Sequence, residues 1–282
     1  MKKILTIAGS DCSGGAGIQA DIKTITVHGM YAMSVITALT AQNTRGVSGV
    51  SETSAEFAEQ QMESVFSDIV PDAVKIGMLP GRKMIEAIAG KLEEYQAENI
   101  VLDPVMVSTS GSPLVKEGAA AAMISHLMPM VRIVTPNLSE AEVLSGTSYR
   151  IRTKADMEAA AGRIAERLTA ASEASGRKGR CPAILLKGGH LTGSADDLLY
   201  LPEDQGRMVW MPAERVENPN THGTGCTLSS AIACGLAENP EDLETAVRNA
   251  KKFVRGAIAS GLDLGTGNGP LNHMYQLRFY AV

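Results

Sequence analysis

Two glycines and a cysteine in front of a run of small apolar residues are the clearest candidates for chemistry in this sequence. The segment Asn220–Cys226 contains Gly223, Thr224 and Gly225 and leads into Thr227–Gly235, where we predict a helix. Backbone N–H groups at a helix start have no partner within the helix, and the helix dipole makes the potential there positive. The spacing therefore predicts an anion hole at the start of this helix.

Cys226 lies in the first turn of the predicted helix and is a candidate base. The positive potential at that turn is expected to lower its pKa from about 8.5, the value of a free thiol, towards neutrality. The alternative is a small buried side chain packed against the sheet, which is our interpretation of Cys234 in mid-helix. We predict that His222 forms hydrogen bonds within the loop rather than acting as a catalyst.

Polar side chains also follow three predicted strands. They are, in chain order, Asp103, then Asn137 with Glu140, then Lys187. Carboxylates and an amide at neighbouring strand ends suit Mg²⁺ completed by nucleotide phosphates, and a lysine suits a phosphate as a compact charge. Together they predict phosphoryl transfer, although each could alternatively be a helix cap or a surface pair. The sequence lacks both the P-loop motif and the protein-kinase motifs.

A glycine-rich segment, Gly9–Gly17, follows the first predicted strand and would let a ligand approach the backbone. Within it, Gly15–Ala20 fits the G-x-G-x-x-A pattern of dinucleotide-binding proteins. That pattern should be followed, about 20 residues on, by an acidic residue at the end of the second strand. Thr40–Asn43 contains none. A nicotinamide-dependent dehydrogenase is therefore only an alternative, beside a purely structural turn.

Apolar runs rich in β-branched residues alternate with helical patterns along the chain. The predicted strands are Lys3–Ala8, Ser34–Leu39, Ala73–Ile76, Ile100–Leu102, Arg132–Thr135 and Ala183–Lys187. The predicted helices are Ala16–Val27, Ala55–Phe66, Lys83–Tyr95, Lys116–Leu127, Ser139–Leu144 and Ala155–Ala170. This alternation predicts one α/β domain over residues 1–282, a doubly wound, mostly parallel sheet with helices on both faces. Such sheets bind ligands beyond the carboxyl ends of their strands, where the candidate residues lie.

Three segments fall outside that alternation. Leu198–Tyr200 and Met208–Met211 are predicted to form an antiparallel hairpin at one sheet edge. We expect Ala171–Arg180 to be a solvated surface insertion. Met106–Pro113 is either plain surface or a lid that keeps water away from a γ-phosphate.

Composition limits the classes of partner. The 282 residues carry a net charge of −5, which disfavours nucleic-acid binding. The four cysteines form no C-x-x-C pair and indicate free thiols in a reducing cytosol. The apolar run Ile4–Ala8 is too short for an export signal, and no apolar stretch approaches the ~18–20 residues of a membrane span.

Ordered segments along the whole chain resemble the hydroxymethylpyrimidine/phosphomethylpyrimidine kinase family, which has the ribokinase-like fold. These segments are 9–21, 34–44, 75–79, 103–106, 135–138 with Glu140, 187–190, 220–226 and 267–273. The resemblance implies an ATP- and Mg²⁺-dependent kinase of thiamine biosynthesis. It also implies that the kinase is a homodimer. Its substrate would be 4-amino-5-hydroxymethyl-2-methylpyrimidine, phosphorylated at the primary alcohol, and then the resulting monophosphate. A pyridoxal kinase, a kinase with both activities and a non-catalytic pyrimidine-binding protein remain alternatives.

The resemblance also implies a role for each candidate residue. Cys226 would take the hydroxyl proton, and the amides of Gly223, Thr224 and Gly225 would form the anion hole. On the pyrimidine side, the resemblance implies that Asp21 and Gln42 form hydrogen bonds with the aminopyrimidine. Gly9 would lie behind the ring, and Met78 and Val105 would pack near it. On the nucleotide side, the resemblance implies that Asp103 and Glu140 hold Mg²⁺ through water. Asn137 and Lys187 would face the nucleotide phosphates. The sequence departs from the family pattern at Cys12, His28 and Ala32.

Overall fold

One nine-stranded sheet organises the protein. The computed structural model describes residues 1–106, 116, 118–174, 176, 181–189, 191 and 195–277. The strands are β1 (Lys3–Asp11), β2 (Tyr31–Asn43), β3 (Gly46–Glu52), β4 (Ala73–Ile76), β5 (Ile100–Leu102), β6 (Ile133–Val134), β7 (Ala183–Leu186), β8 (Asp197–Leu201) and β9 (Arg207–Met211). Their order in the sheet is β3-β2-β1-β4-β5-β6-β7-β8-β9.

The centre of the sheet is parallel and its edges are antiparallel. Strands β2, β1, β4, β5, β6 and β7 pair in parallel, which confirms the predicted α/β sheet. At one edge β8 and β9 form the predicted hairpin, antiparallel to β7. At the other edge β3 pairs antiparallel with β2 and was not predicted. Its residues are mostly exposed, so it lacks the alternating burial that makes a strand visible in sequence.

Helices cover both faces of the sheet. They are α1 (Gly17–Val27), α2 (Ala55–Phe66), α3 (Arg82–Glu94), α4 (Ala119–Ala122), α5 (Leu138–Ser145), α6 (Lys154–Ala174), α7 (Thr224–Glu238) and α8 (Leu243–Ala259). Successive side chains of a strand point to opposite faces, and in β1 Ile4 joins one apolar core while Leu5 joins the other. Helices α1, α7 and α8 pack on the face of Ile4, and α2 to α6 pack on the face of Leu5.

Several predicted boundaries are wrong. The helix predicted from Lys116 begins at Ala119, because Gly118 has a left-handed φ of 81°, and it continues as a π-helical turn over Met123–Leu127. The predicted insertion Ala171–Arg180 belongs to α6 as far as Ala174. Helix α8 was not predicted.

Two further predicted segments lie mostly or partly outside the described residues. The predicted lid, from Met106 to Pro113, lies outside the described residues except for Met106 itself. The part of the predicted insertion that follows α6 also lies outside them, apart from Gly176. In the described part of the chain, no helix is both long enough and apolar enough to span a membrane.

Candidate active site

The carboxyl ends of the central strands and the start of α7 surround a cavity of about 710 Å³. This volume is within the range of small-molecule sites, roughly 300–1,000 Å³. Most of the predicted site residues line it. They are Gly9, Gln42, Met78, Asp103, Val105, Asn137, Glu140, Lys187, Gly223, Thr224, Gly225 and Cys226.

Asp21 is the exception: it does not line the cavity, so the structure does not support its predicted contact with the aminopyrimidine. Its side chain is completely buried in α1, behind the cavity wall. The carboxylate accepts hydrogen bonds from Thr6 Oγ1 at 2.6 Å, Lys75 Nζ at 2.8 Å and Ser230 Oγ at 2.8 Å. Both carboxylate oxygens therefore already have partners within the protein.

Cys226 lies in the first turn of α7 and lines the cavity, as predicted, but its pKa does not approach neutrality. Burial raises the thiol pKa to about 11; the carboxylates of Asp21 and Asp103 raise it further, and the ammonium of Lys75 only partly opposes them. The prediction considered the helix dipole alone, whereas desolvation and two carboxylates outweigh it. At neutral pH the thiol therefore carries its proton.

Gly223 begins α7 in a conformation that favours glycine. Its φ is 85°, and a Cβ atom there would lie 1.9 Å from the carbonyl oxygen of Gly15. The glycine thus lets the glycine-rich loop touch the helix start. The amide of Thr224 donates a long hydrogen bond of 3.3 Å to the carbonyl oxygen of Thr221. A phosphate oxygen would have to replace that bond for this amide to join an anion hole.

An ion pair lies beside Gly225 at the cavity wall. Lys187 Nζ is 2.8 Å from Asp103 Oδ1, and Thr135 Oγ1 donates to the same oxygen at 3.2 Å. Burial disfavours the charged form of Lys187, but the carboxylates of Asp103 and Glu140 raise its pKa overall. A positive charge is therefore held at the position where a phosphate was predicted to bind.

Asn137 and Glu140 form a capping box at the start of α5. Asn137 Oδ1 accepts from the Glu140 amide at 2.9 Å, and Glu140 Oε2 accepts from the Asn137 amide at 2.8 Å. Burial raises the pKa of Glu140 to about 7, with Asp103 adding to the effect and Lys187 opposing it. Both residues therefore hold the helix start as well as lining the cavity.

The carboxylates of Asp103 and Glu140 are ligands of the kind that Mg²⁺ takes in proteins. Among the residues that the structure describes, no three His, Cys, Asp or Glu side chains converge to hold a metal. Mg²⁺ in kinases, however, is usually held by one or two carboxylates together with waters and substrate phosphates. Two neighbouring carboxylates beside Lys187 fit that donor set.

A network around His222 was only partly predicted. His222 is buried, and its Nε2 lies 2.9 Å from Asp11 Oδ2 and 3.0 Å from the side-chain amide of Gln42. These bonds confirm that His222 is a hydrogen-bonding loop residue. Burial opposes the charge of Asp11, but hydrogen bonds from His222, Ser13 and backbone amides hold its pKa at about 2. Asp11 was missed, although an aspartate in a glycine-rich loop is a typical turn former.

Gly9, Met78 and Val105 form an apolar part of the cavity wall. A Cβ atom on Gly9 would lie 3.1 Å from Met78 Sδ, so the glycine keeps this wall open. Thr37 Oγ1 donates to the Met78 carbonyl oxygen at 2.7 Å and fixes that segment. Val105 also lines the cavity, which gives a planar ring apolar contacts on this side.

The far end of the cavity is lined by α8 and by residues 213–216, which sequence reasoning missed. Lys251 and Arg255 bring positive charge to this end. Lys251 Nζ pairs with Asp197 and donates to the Ala195 carbonyl oxygen at 2.9 Å, while Arg255 pairs with Glu214 at 3.1 Å. The helical spacing of apolar residues in α8 is a signal in the sequence from which this helix could have been predicted.

Comparisons with known proteins agree with this geometry. The family model for phosphomethylpyrimidine kinase matches residues 11–272. A hydroxymethylpyrimidine/phosphomethylpyrimidine kinase of Rhizobium meliloti is 48% identical over 275 residues, covering 96% of this chain and 97% of the relative. A phosphomethylpyrimidine kinase structure from Clostridium difficile has 40% identity and a TM-score of 0.74, covering 92% of this chain and 100% of that one. The ADP complex of Bacillus subtilis pyridoxal kinase has 34% identity and a TM-score of 0.84, covering 98% of each chain.

Proposed function

The chain belongs to the phosphomethylpyrimidine kinase family, and from that premise we propose that it transfers the γ-phosphoryl group of ATP to 4-amino-5-hydroxymethyl-2-methylpyrimidine. The monophosphate would then be phosphorylated to the diphosphate, in thiamine biosynthesis. The single observation that carries the proposal is the shared cavity, in which Cys226, the start of α7 and the Asp103–Lys187 pair line one wall. Nucleotide use is further supported by the ADP held by the pyridoxal kinase of similar structure.

The dehydrogenase hypothesis is wrong, because the family is one of kinases. The structure gives a different reason for the glycine pattern that suggested it. A Cβ atom on Gly17 would lie 2.3 Å from the carbonyl oxygen of Gly9, and one on Gly15 would lie 2.3 Å from the His222 ring. These glycines therefore allow contacts between parts of the protein itself.

Cys226 is proposed to release its own proton to solvent in the loaded site and, as the thiolate, to accept the proton of the substrate alcohol as the new P–O bond forms. Phosphoryl transfer passes through a loose transition state, so positioning and charge neutralisation supply most of the rate. Asp103 is one of the groups that raise the pKa of Cys226. Cations paired with Asp103 in the loaded site would weaken that effect and make the thiol easier to deprotonate.

The nucleotide side of the cavity would hold the phosphates. The amides of Gly223, Thr224 and Gly225 are proposed to stabilise the migrating phosphoryl group at the positive end of α7. Lys187 and Asn137 would face the other phosphates; the charge of Lys187 and the cavity position of both residues support this.

Mg²⁺ is proposed to be held through water by Asp103 and Glu140. When bound, it would neutralise phosphate charge. A nearby cation also favours the charged form of a carboxylate, so it would lower the pKa of Glu140 from the value of about 7 that burial produces. Removal of divalent ions with a chelator should therefore abolish transfer, and added Mg²⁺ should restore it.

On the pyrimidine side, Gln42 is proposed to hydrogen-bond the aminopyrimidine, with Gly9 behind the ring and Met78 and Val105 packed near it. The position of all four residues on the cavity wall supports these roles. Asp21 is left out of this proposal, because its side chain is completely buried and does not line the cavity.

Pyridoxal phosphorylation is the second candidate activity. The similarity to Bacillus subtilis pyridoxal kinase supports it, at 34% identity against 48% for the Rhizobium meliloti relative. The test is ADP formation with ATP, Mg²⁺ and pyrimidine, pyrimidine monophosphate or pyridoxal on one preparation. We expect kcat/KM to be highest for the two pyrimidines. A higher value for pyridoxal would reverse the assignment, and no ADP with any of the three would contradict both.

The wider setting of the protein is also a proposal. A single domain over residues 1–282 is supported by the continuous nine-stranded sheet of the described part. A reducing, cytosolic setting is supported by four cysteines that are all free. The homodimer that the family resemblance implies is testable by sedimentation, which should give twice the mass of one chain.

A further inference from the structure

The amide of Gln42 is held between two groups at the cavity wall. As the two amide atoms are placed, Gln42 Nε2 lies 3.0 Å from Nε2 of His222 and Oε1 lies 3.1 Å from Oγ1 of Thr40; the surrounding donors and acceptors require the two atoms to be exchanged. The oxygen and nitrogen of an amide have the same shape, so the donors and acceptors around them decide which atom faces which partner. Here His222 and Thr40 together determine which atom of the Gln42 amide is the oxygen and which is the nitrogen.

The atom of the Gln42 amide that faces His222 must be the oxygen. Asp11 Oδ2 lies 2.9 Å from Nε2, and the Asp11 carboxylate, with its pKa of about 2, is ionised and can only accept. Nε2 must therefore carry a proton, whether the imidazole is neutral or charged. A protonated ring nitrogen has no lone pair, so the amide atom beside it must be an acceptor.

The atom of the Gln42 amide that faces Thr40 must be the nitrogen. Thr40 Oγ1 lies 2.9 Å from the carbonyl oxygen of Ser10, which can only accept, so the single hydroxyl proton is used there. The hydroxyl oxygen can then only accept from Gln42. The two ends of the amide are therefore consistent with one orientation, in which Oε1 faces His222 and the NH₂ group faces Thr40.

We infer that His222 is a positioning residue that fixes this orientation, so that Gln42 offers an N–H donor to a ring nitrogen of the pyrimidine. One N–H of the amide is used by Thr40, and the other remains for the ligand. The inference deepens the proposed function and rests on it. His222 immediately precedes Gly223, so one short segment orients the ring-binding amide and begins the phosphate-binding helix.

A double-mutant cycle tests whether His222 acts through Gln42. The variants are His222→Phe, which keeps a ring but removes the N–H, Gln42→Ala, and the two combined. We expect His222→Phe to raise the KM for the pyrimidine about tenfold, while kcat and the KM for ATP change less than about threefold. In the Gln42→Ala background, His222→Phe should change the pyrimidine KM less than about twofold.

The rescue variant is His222→Gln, which retains a side-chain N–H donor and should keep the pyrimidine KM within about threefold of wild type. Equal effects of His222→Phe in both backgrounds, or a joint change of kcat and both KM values, would overturn the inference. Wild-type protein without pyrimidine turnover would instead contradict the proposed function, so the two failures are distinguishable.

Gln42→Glu tests the orientation even if His222→Phe does not fold. A glutamate carboxylate can still accept from His222 but cannot donate to a ring nitrogen. We expect the pyrimidine KM to rise about tenfold in a variant that still folds, while loss of the N–H to Thr40 lowers its thermal stability. An unchanged KM would show that the ring contacts the amide oxygen instead, and would overturn the inference.

Discussion

The ammonium of Lys75 lies 2.8 Å from the carboxylate of Asp21, and neither side chain has solvent-accessible surface. Thr6 and Ser230 complete the hydrogen bonds of the carboxylate. Burial lowers the pKa of Lys75, but Asp21 and other nearby negative groups raise it overall, so the ammonium stays charged. The pair lies behind the cavity wall, and both of its charges affect the thiol of Cys226.

Lys75→Met should destabilise the protein by about 3–5 kcal/mol, because it leaves the Asp21 carboxylate buried without its counter-ion. Urea unfolding measures the loss. The control is the double variant Asp21→Asn with Lys75→Met, which removes both charges and should recover most of the stability. Equal stabilities of the single and double variants would show that the pair is not electrostatically coupled.

Cys226→Ala should lower kcat by about 10²–10⁴-fold, because it removes the proposed base, with the pyrimidine KM within about threefold. Steady-state kinetics with ATP and pyrimidine measure both. Cys234→Ala is the matched control: Cys234 is buried further along the same helix and does not line the cavity, so kcat should be unchanged. Similar losses in the two variants would point to a structural role for Cys226.

Gly223→Ala should reduce kcat by at least about 100-fold, because the added Cβ would meet the Gly15 carbonyl oxygen and displace the start of α7. Gly29→Ala is the control for backbone strain. Gly29 also has a positive φ, 76°, but a Cβ atom there meets nothing within 4 Å. It should cost about 1 kcal/mol of stability and leave kcat unchanged. Equal kinetic effects would contradict the anion hole.

Glu140→Gln should change the pH dependence of stability. Burial raises the pKa of Glu140 from 4.5 to about 7, so its stabilising contribution is complete below pH 4.5 and is lost as pH rises to about 7. Glutamine does not titrate. The variant should therefore match wild type near pH 4.5 and be more stable above pH 7, by on the order of 3 kcal/mol.

Melting temperatures between pH 4.5 and 8 provide the measurement for Glu140→Gln. Glu98→Gln, at an exposed side chain between α3 and β5, is the control and should show the same pH dependence as wild type. A constant difference between Glu140→Gln and wild type across this range would contradict the raised pKa.

The strand-end residues were predictable, because parallel strands bring their carboxyl ends to one edge of the sheet. Asp103, Asn137 and Lys187 reach one cavity for that reason. Asp21 was not predictable in the same way. Its partner Lys75 is 54 residues away, and only the folded sheet and helix bring the two charges together. The ligand-binding role of Asp21 was implied only by the family resemblance, which does not show the buried partners of the carboxylate.

The protonation state of Cys226 could not be predicted from its position in the helix either. The dipole of α7 is a local property, whereas the burial and the charges of Asp21, Asp103 and Lys75 come from three other parts of the chain. The strand β3 was missed because its exposed residues lack a buried face. Helix α8 does have one, with Ala246, Ala250, Phe253 and Val254 at helical spacing, and was predictable.

The most direct test of the central claim is to identify the product by ³¹P NMR. The protein would be incubated with ATP, Mg²⁺ and the hydroxymethylpyrimidine, with Cys226→Ala run in parallel. We expect a phosphate ester on the hydroxymethyl group, then a diphosphate, with both signals strongly reduced in the variant. Folded wild-type protein that forms no phosphorylated pyrimidine would contradict the proposed function.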